Sequence, residues 1–259
     1  MKYTHIRNAT ALVEYAGKRF LVDPMLAERG SYDGFGGYAN SELRNPLVDL
    51  PLPARDVLDV DAVIVTHTHI DHWDPTAQKL IDKDRLLLAQ NARDAALFAA
   101  QGFTRVQVLG EETDFDGIRL FKTSGQHGSD ALYADPQWAA RLGETCGIVF
   151  AHADEPTVYL AGDTVWHRHV ETALARHAPN VVVLNAGDAH NLVHGSIIMG
   201  QHDIERVHRA APGAELIAVH LEALGHCVLS RAALRGFVRD RSLEHVVRIP
   251  EDGDSYVFA

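Results

Sequence analysis

Two cysteines in 259 residues, Cys146 and Cys227, are too few for a disulfide framework, and unpaired thiols fit a reducing cytoplasm. Positive charge is scarce as well. The 24 Lys and Arg face 35 Asp and Glu, a net charge of −11, which argues against a general electrostatic grip on nucleic acid or an anionic membrane. A local cationic pocket for a small anion stays open. No apolar run approaches the about 18 residues a spanning helix needs, so no membrane anchor is expected. The opening "MKYTHIRNATALVEYAG" also lacks the apolar stretch and small-residue cleavage site of a secretory signal. Linker-like stretches and internal repeats are missing too, so residues 1–259 are read as one cytoplasmic domain. An apolar fraction of 46% is ordinary for such a chain, and its length suffices to bury a sizeable core. An oligomer is possible but cannot be read from the sequence.

What the chain does contain is an alternation of strand-like and helix-like segments. "TALVEY" and "KRFLVD" read as strands around an "AG" turn. A Gly-, Asn- and Pro-rich segment follows over residues 24–53, long enough to suggest function, with Tyr32, Phe35, Tyr38 and Leu47 as apolar anchors of an ordered lid. Beyond it "AVIVTH", "RLLLAQ" and "RVQVLG" read as strands. Between them come the helices "DPTAQKLID", with Asp74 as N-cap and Pro75 at its first position, and "NARDAALFAAQG". "GIRLFKTS", "CGIVFAH" and "TVYLAGD" follow as three strands with little helix between them. The last third alternates again: helix "VWHRHVETALARH", strand "NVVVLNAG", helix "GQHDIERVHRAAP", strand "ELIAVHLE", helix "SRAALRGFVRD". Strand runs mixed with βα units predict two sheets with helices outside them.

The chemistry concentrates in "DAVIVTHTHIDHWDP", where His67, His69, Asp71 and His72 follow an aliphatic strand at the spacing H-x-H-x-D-H. Residues two apart on extended backbone point the same way, so His67 and His69 can grip one ion together. Asp71 and His72 come a turn later and can serve a second. Imidazoles and carboxylates without thiolates suit Zn, Mn or Fe. The plain alternative, surface loop histidines, is weak for three of them beside an aspartate at the mouth of a buried strand.

"THTHIDHWD" resembles the signature of the metallo-β-lactamase superfamily of metal-dependent hydrolases. That resemblance implies an α/β fold, a four-layer αβ/βα sandwich with a dinuclear site where two sheets meet. It also implies three more ligands in a fixed order after successive strands: His127 in "LFKTSGQHG", Asp163 in "VYLAGDT" and His220 in "ELIAVHLEALGHC". His67, His69 and His127 would then hold one ion and Asp71, His72 and His220 the other, with Asp163 bridging. Two divalent metal ions are the expected cofactors, zinc first, manganese or iron as alternatives. "GKRFLVDPML" and "AGDT" resemble the branch that contains L-ascorbate-6-phosphate lactonase and N-acylphosphatidylethanolamine phospholipase. "TSGQHG" departs from the thioesterase pattern, and His69 stands where diiron oxygen-reducing relatives carry glutamate.

The resemblance implies a metal-bridged hydroxide cleaving a small ester, lactone or related carbonyl or phosphoryl substrate. The alternatives are a phosphodiesterase or phospholipase-like hydrolase and, from another class, an iron-dependent redox protein or a non-catalytic metal-binding regulator. Asp71 is the expected catalytic residue, orienting the water while ligating. Asp23 in "FLVDP" is read as the partner that orients a ligand histidine, against an ordinary Asp-Pro turn. His226 is a second catalytic candidate, against a structural hydrogen bond. His190, His194, Glu222, Tyr133 and Trp138 are candidates for touching a small-molecule substrate, and the aromatics could equally pack their loops down. His167 and His169 read as solvent-facing, and His5 as either an edge-strand residue or a site residue. Cys227 reads as a buried thiol because no base is evident that would ionise it.

Overall fold

The run Ala62–Val65 is apolar at every position because both of its faces are covered. Ala62 and Ile64 belong to a core between two sheets, whereas Val63 and Val65 belong to a second core beneath helices. The computed structural model describes residues 1–259. Its first sheet contains β1 (Lys2–Arg7), β2 (Thr10–Tyr15), β3 (Lys18–Val22), β4 (Ala62–Val65), β5 (Leu86–Ala89) and β6 (Val106–Val108). The second contains β7 (Thr113–Phe115), β8 (Ile118–Ser124), β9 (Cys146–His152), β10 (Glu155–Leu160) and β11 (Val181–Asn185). After a two-stranded hairpin of β12 (His190–Asn191) and β13 (Gly195–Ser196), the chain adds β14 (Glu215–Val219) and β15 (Val247–Arg248) to the second sheet. It then returns β16 (Ser255–Val257) to the first. The orders are β16-β1-β2-β3-β4-β5-β6 and β15-β14-β11-β10-β9-β8-β7.

Each sheet is half antiparallel and half parallel, the parallel half being the part built from βα units. Between the sheets pack Phe20, Ile64 and Leu88 from one side and Ile148, Phe150, Val183 and Val219 from the other. Outside the first sheet lie α1 (Ala54–Leu58), α2 (Pro75–Leu80) and α3 (Ala92–Ala100). α4 (Asp130–Tyr133) and α5 (Pro136–Leu142) sit in the segment between β8 and β9. α6 (Arg168–His177), α7 (Gln201–Ala210) and α8 (Arg231–Asp240) cover the second sheet. The result is the expected sandwich of four layers. No helix is long and apolar enough to cross a membrane.

Local signals place several helix starts. Asp74 caps α2, its carboxylate accepting from Ala77 N at 2.6 Å with Pro75 at the first position. Asn91 caps α3 and Ser230 caps α8 in the same way. The segment between "GIRLFKTS" and "CGIVFAH" corrects the expectation of little helix there: Ser129 and Asp135 cap the two short helices α4 and α5.

The 24–53 segment is fixed by a residue the sequence did not flag. Arg7 is fully buried, and its guanidinium donates to the carbonyls of Met25 (3.0 Å), Val48 (2.9 Å) and Ala27. Replacing Arg7 by Met would strand those acceptors without a donor. We expect Arg7→Met to cost about 2–4 kcal/mol in urea unfolding and to open residues 24–53 to limited proteolysis. Unchanged stability and protection would show that the loop holds itself.

Candidate metal centre and substrate cavity

Every metal-ligand candidate lies just past the C-terminal end of a strand, and all of those ends meet at one edge of the sandwich. His67 to His72 follow β4, His127 follows β8, Asp163 follows β10 and His220 follows β14. Backbone bonds tie the sheets together there: Cys146 N donates to Thr66 O and His220 N to Asn8 O. The turns are tight. Asp23 and His220 hold left-handed φ values of 47° and 65°, and a Cβ on Gly187 would fall 1.9 Å from His220 O.

The structure brings all seven candidates together in two groups. The donor atoms of His67, His69 and His127 lie within 4.8 Å of one another, as do those of Asp71, His72, Asp163 and His220. His67 Nε2 and His69 Nδ1 converge to 2.9 Å. Asp163 Oδ2 lies 3.3 Å from His127 Nε2 and 3.2 Å from His72 Nε2, within reach of both groups. Asp71 Oδ2 lies 3.6 Å from His72 Nε2 and 3.4 Å from His220 Nε2.

The outward ring nitrogens all meet protein atoms. Nδ1 of His72 is 2.8 Å from Asp23 Oδ2, Nδ1 of His127 is 2.8 Å from Ile197 O, and Nε2 of His69 is 3.2 Å from Arg141 O. Nδ1 of His67 is 3.3 Å from Thr66 Oγ1, and Nδ1 of His220 is 3.2 Å from Cys227 Sγ. Outward hydrogen bonds of this kind fix the tautomer that turns the other nitrogen inward. Inside, Nε2 of His72 and of His220 is buried without a hydrogen-bond partner, which costs free energy unless something accepts its lone pair. A divalent cation fits that requirement and this donor set.

Electrostatics agree. Burial alone would raise the pKa values of Asp71 and Asp163, but the His72 and His220 rings beside them hold both well below the usual carboxylate range. Burial would likewise lower His72, yet Asp163, Asp71 and Asp23 push it up to about 10. His127, buried with less compensation, is lowered to about 4, and His67 falls well below its ordinary value. Four neighbouring rings shifted in opposite directions, His72 and His220 up and His67 and His127 down, make a poor set for protons alone.

A cavity of ≈140 Å³ opens onto the cluster through His69, Asp71 and His127. Its apolar walls are Phe35 and Tyr38 from the 24–53 segment, Ile70, Leu142 and Ile197; Arg141 and His226 complete it. His226 is buried against Phe35 and Tyr38, with ring centroids 4.8 and 5.6 Å apart. Burial lowers its pKa to about 4, and its Nδ1 has no partner.

Other candidates fall elsewhere. Glu222, expected near substrate, is held instead by Arg231, accepting from its backbone N (2.9 Å) and from Nη1 (2.8 Å). His190 and His194 lie on or beside the β12–β13 hairpin, outside the cavity, and His194 packs edge-on against Trp138. Trp138 in turn meets Tyr38 edge to face and lies under the Arg141 guanidinium, behind the wall. Tyr133 does not line the cavity; its hydroxyl donates to Gly143 O (2.9 Å) and accepts from His127 N (3.2 Å). His5 is buried in β1 beside Asp252, and His167 is the half-buried cap of α6. Sequence reasoning missed Asn185, whose amide donates to Asp163 Oδ1 at 2.6 Å, and Arg141, whose only advance signal was its place in an aromatic insertion.

The family model for the beta-lactamase superfamily domain matches residues 18–221. The chain belongs to the metallo-β-lactamase superfamily of metal-dependent hydrolases. Within that superfamily it is 46% identical to UPF0173 protein YddR of Bacillus subtilis (strain 168), over the full length of both. Its structure superposes with a TM-score of 0.98 on isothiocyanate hydrolase from Delia radicum gut bacteria, at 51% identity, covering 100% of this chain and 99% of that one. A possible metal-dependent hydrolase from Veillonella parvula DSM 2008 matches equally well, TM-score 0.98 at 46% identity, with coverage of 100% and 99%.

Asp23 also accepts from Thr66 N and Thr66 Oγ1, both at 2.7 Å, so an asparagine there would keep part of the local structure while losing the carboxylate on His72. Asp23→Asn is expected to weaken zinc binding about 10–100-fold, measured by competition with a chromophoric chelator. Unaltered affinity would remove Asp23 from the metal centre.

Proposed function

We propose that this protein is a metal-dependent hydrolase that adds water to the central carbon of an organic isothiocyanate, R–N=C=S + H₂O → R–NH₂ + O=C=S. One observation carries this reading: a small, half-apolar cavity ends on Asp71, His69 and His127. Its one cationic side chain, Arg141, is already engaged, stacked on Tyr38 and Trp138 and donating to Gly36 O at 3.0 Å. A neutral electrophile with an apolar substituent suits such walls. The 51% identity to an isothiocyanate hydrolase, over the whole chain, supports the choice of electrophile.

His67, His69 and His127 would hold one divalent ion and Asp71, His72 and His220 a second, with Asp163 shared; zinc is the favoured metal, manganese or iron fitting the same donors. Bound there, such ions supply hydroxide at neutral pH by bringing the pKa of a water toward ~7, and they polarise the group under attack. Asp71, at once in the cluster and in the cavity wall, accepts a hydrogen bond from the attacking hydroxide and aims its lone pair at the carbon. Phe35, Ile70 and Leu142 hold the substituent. His226 is neutral at working pH and offers its ring to the heteroatom on which negative charge collects. Transfer of the added hydroxyl's own proton to nitrogen gives the thiocarbamate R–NH–C(=O)–S⁻. Its C–N bond then breaks, nitrogen takes up the proton released when the water ionised and leaves as the amine, and the remaining atoms depart as carbonyl sulfide.

A small ester, lactone or related phosphoryl substrate is the second reading, supported by the lactonase-like "GKRFLVDPML" and "AGDT" segments. Metal analysis addresses the redox alternative: colourless zinc or manganese protein accords with hydrolysis, redox-active iron does not. The zinc-loaded protein is expected to release amine from benzyl isothiocyanate faster than it opens lactones, esters or phosphodiesters. Higher kcat/KM on a lactone would favour the second reading, and inertness to the whole panel would reject both. Asp71→Ala should abolish turnover. His226→Ala should lower kcat by about 10²-fold with little change in KM, and wild-type kcat in that variant would remove the ring from the mechanism.

A further inference from the structure

His220 differs from the other four rings of the cluster. Those rings place their outward nitrogen on oxygen, from Thr66, Arg141, Asp23 and Ile197, whereas the outward Nδ1 of His220 meets the sulfur of Cys227 at 3.2 Å. His220 is 0% exposed, and its inward Nε2 has no hydrogen-bond partner while lying 3.4 Å from Asp71 Oδ2 and 3.7 Å from Asp163 Oδ1. We propose that Cys227 is a positioning residue of the metal centre: its sulfur accepts the Nδ1–H of His220 and thereby fixes the tautomer whose Nε2 lone pair faces a divalent cation.

The alternative arrangement, with the thiol hydrogen on Nδ1, puts a hydrogen on Nε2, where Asp71 Oδ2 at 3.4 Å and Asp163 Oδ1 at 3.7 Å are the nearest acceptors and no lone pair remains for a cation. Both partners are held from behind. Gly187 packs against the carbonyl of His220 and the Cβ of Cys227, leaving no room for a side chain, and Cys227 is bridged to Ala189 at the exit of β11. A thiol is a weaker acceptor than the Asp23 carboxylate behind His72, so the imidazoles of His72 and His220 are supported unequally from behind. Cys227 thus has a role besides filling space, and it acts through His220 without touching substrate.

The inference rests on the proposal that the second ligand group binds an ion, and one titration separates the two claims. Zinc and cobalt(II) are titrated into metal-free wild type, Cys227→Ala and Cys227→Ser, with chelator competition giving the affinity of each equivalent and melting of the metal-free proteins reporting the fold. Positioning predicts a loss of about 10–100-fold confined to one equivalent in Cys227→Ala, with most of it restored in Cys227→Ser, whose hydroxyl still accepts. Two equivalents bound by Cys227→Ala at wild-type affinity would overturn the role of Cys227 and leave the proposed activity standing. Equal weakening of both equivalents, together with a lowered melting temperature of the metal-free protein, would assign the thiol to packing and also overturn it. Should Cys227→Ala fail to fold, Cys227→Ser decides: near-wild-type affinity supports acceptance by the side chain, and loss from both equivalents rejects it. A wild type that takes up only one equivalent removes both claims.

Discussion

Five imidazoles and two carboxylates turn their donor atoms toward one another where the two sheets meet, a set that a divalent cation fits, and the rest of the molecule is arranged around that convergence. Burial and the neighbouring carboxylates pull these groups in opposite directions: burial holds His127 down, whereas Asp163, Asp71 and Asp23 lift His72 against its own burial. The fold meets this by bringing strand ends together from both sheets, so that no single loop has to carry the whole set. It also accepts strained backbone at Asp23 and His220, where a relaxed conformation would aim the side chains elsewhere.

Around this fixed centre the walls are drawn from other parts of the chain. Phe35 and Tyr38 arrive on the segment pinned by Arg7, Leu142 and Arg141 on α5, and Ile197 beside the β12–β13 hairpin. These segments also touch the ligands from outside: the carbonyls of Arg141 and Ile197 each receive a ring nitrogen. Substrate walls and ligand orientation are therefore mechanically linked, and a change in the α4–α5 segment reaches His69 and His127 as well as the cavity.

Much of the frame was legible in the sequence because it is written locally. The continuous aliphatic run before His67 announces a strand covered on both faces, and Asp74-Pro75 announces a helix start. The H-x-H-x-D-H spacing announces ligands by itself, whereas His127, Asp163 and His220 became candidates through family resemblance, since their separations carry no local signal. The features that escaped are those defined by partners far along the chain. β16 joins β1 from the other end of the sequence, Arg7 reaches carbonyls in the 24–53 segment, and Asn185 reaches back to Asp163. Glu222 misled for the same reason: adjacency to His220 suggested the cavity, but Arg231 on α8 holds its carboxylate.

The two thiols acquire a different meaning when set against the proposed chemistry. Isothiocyanates are soft electrophiles that thiocarbamoylate thiolates, so a catalyst for them is exposed to modification of its own thiols. Here neither sulfur lines the cavity, both are buried at 3% and 8% exposure, and burial raises the pKa of each away from the reactive anion. Were the proposed electrophile the substrate, scarcity and shielding of cysteine would leave it few competing targets in its own catalyst.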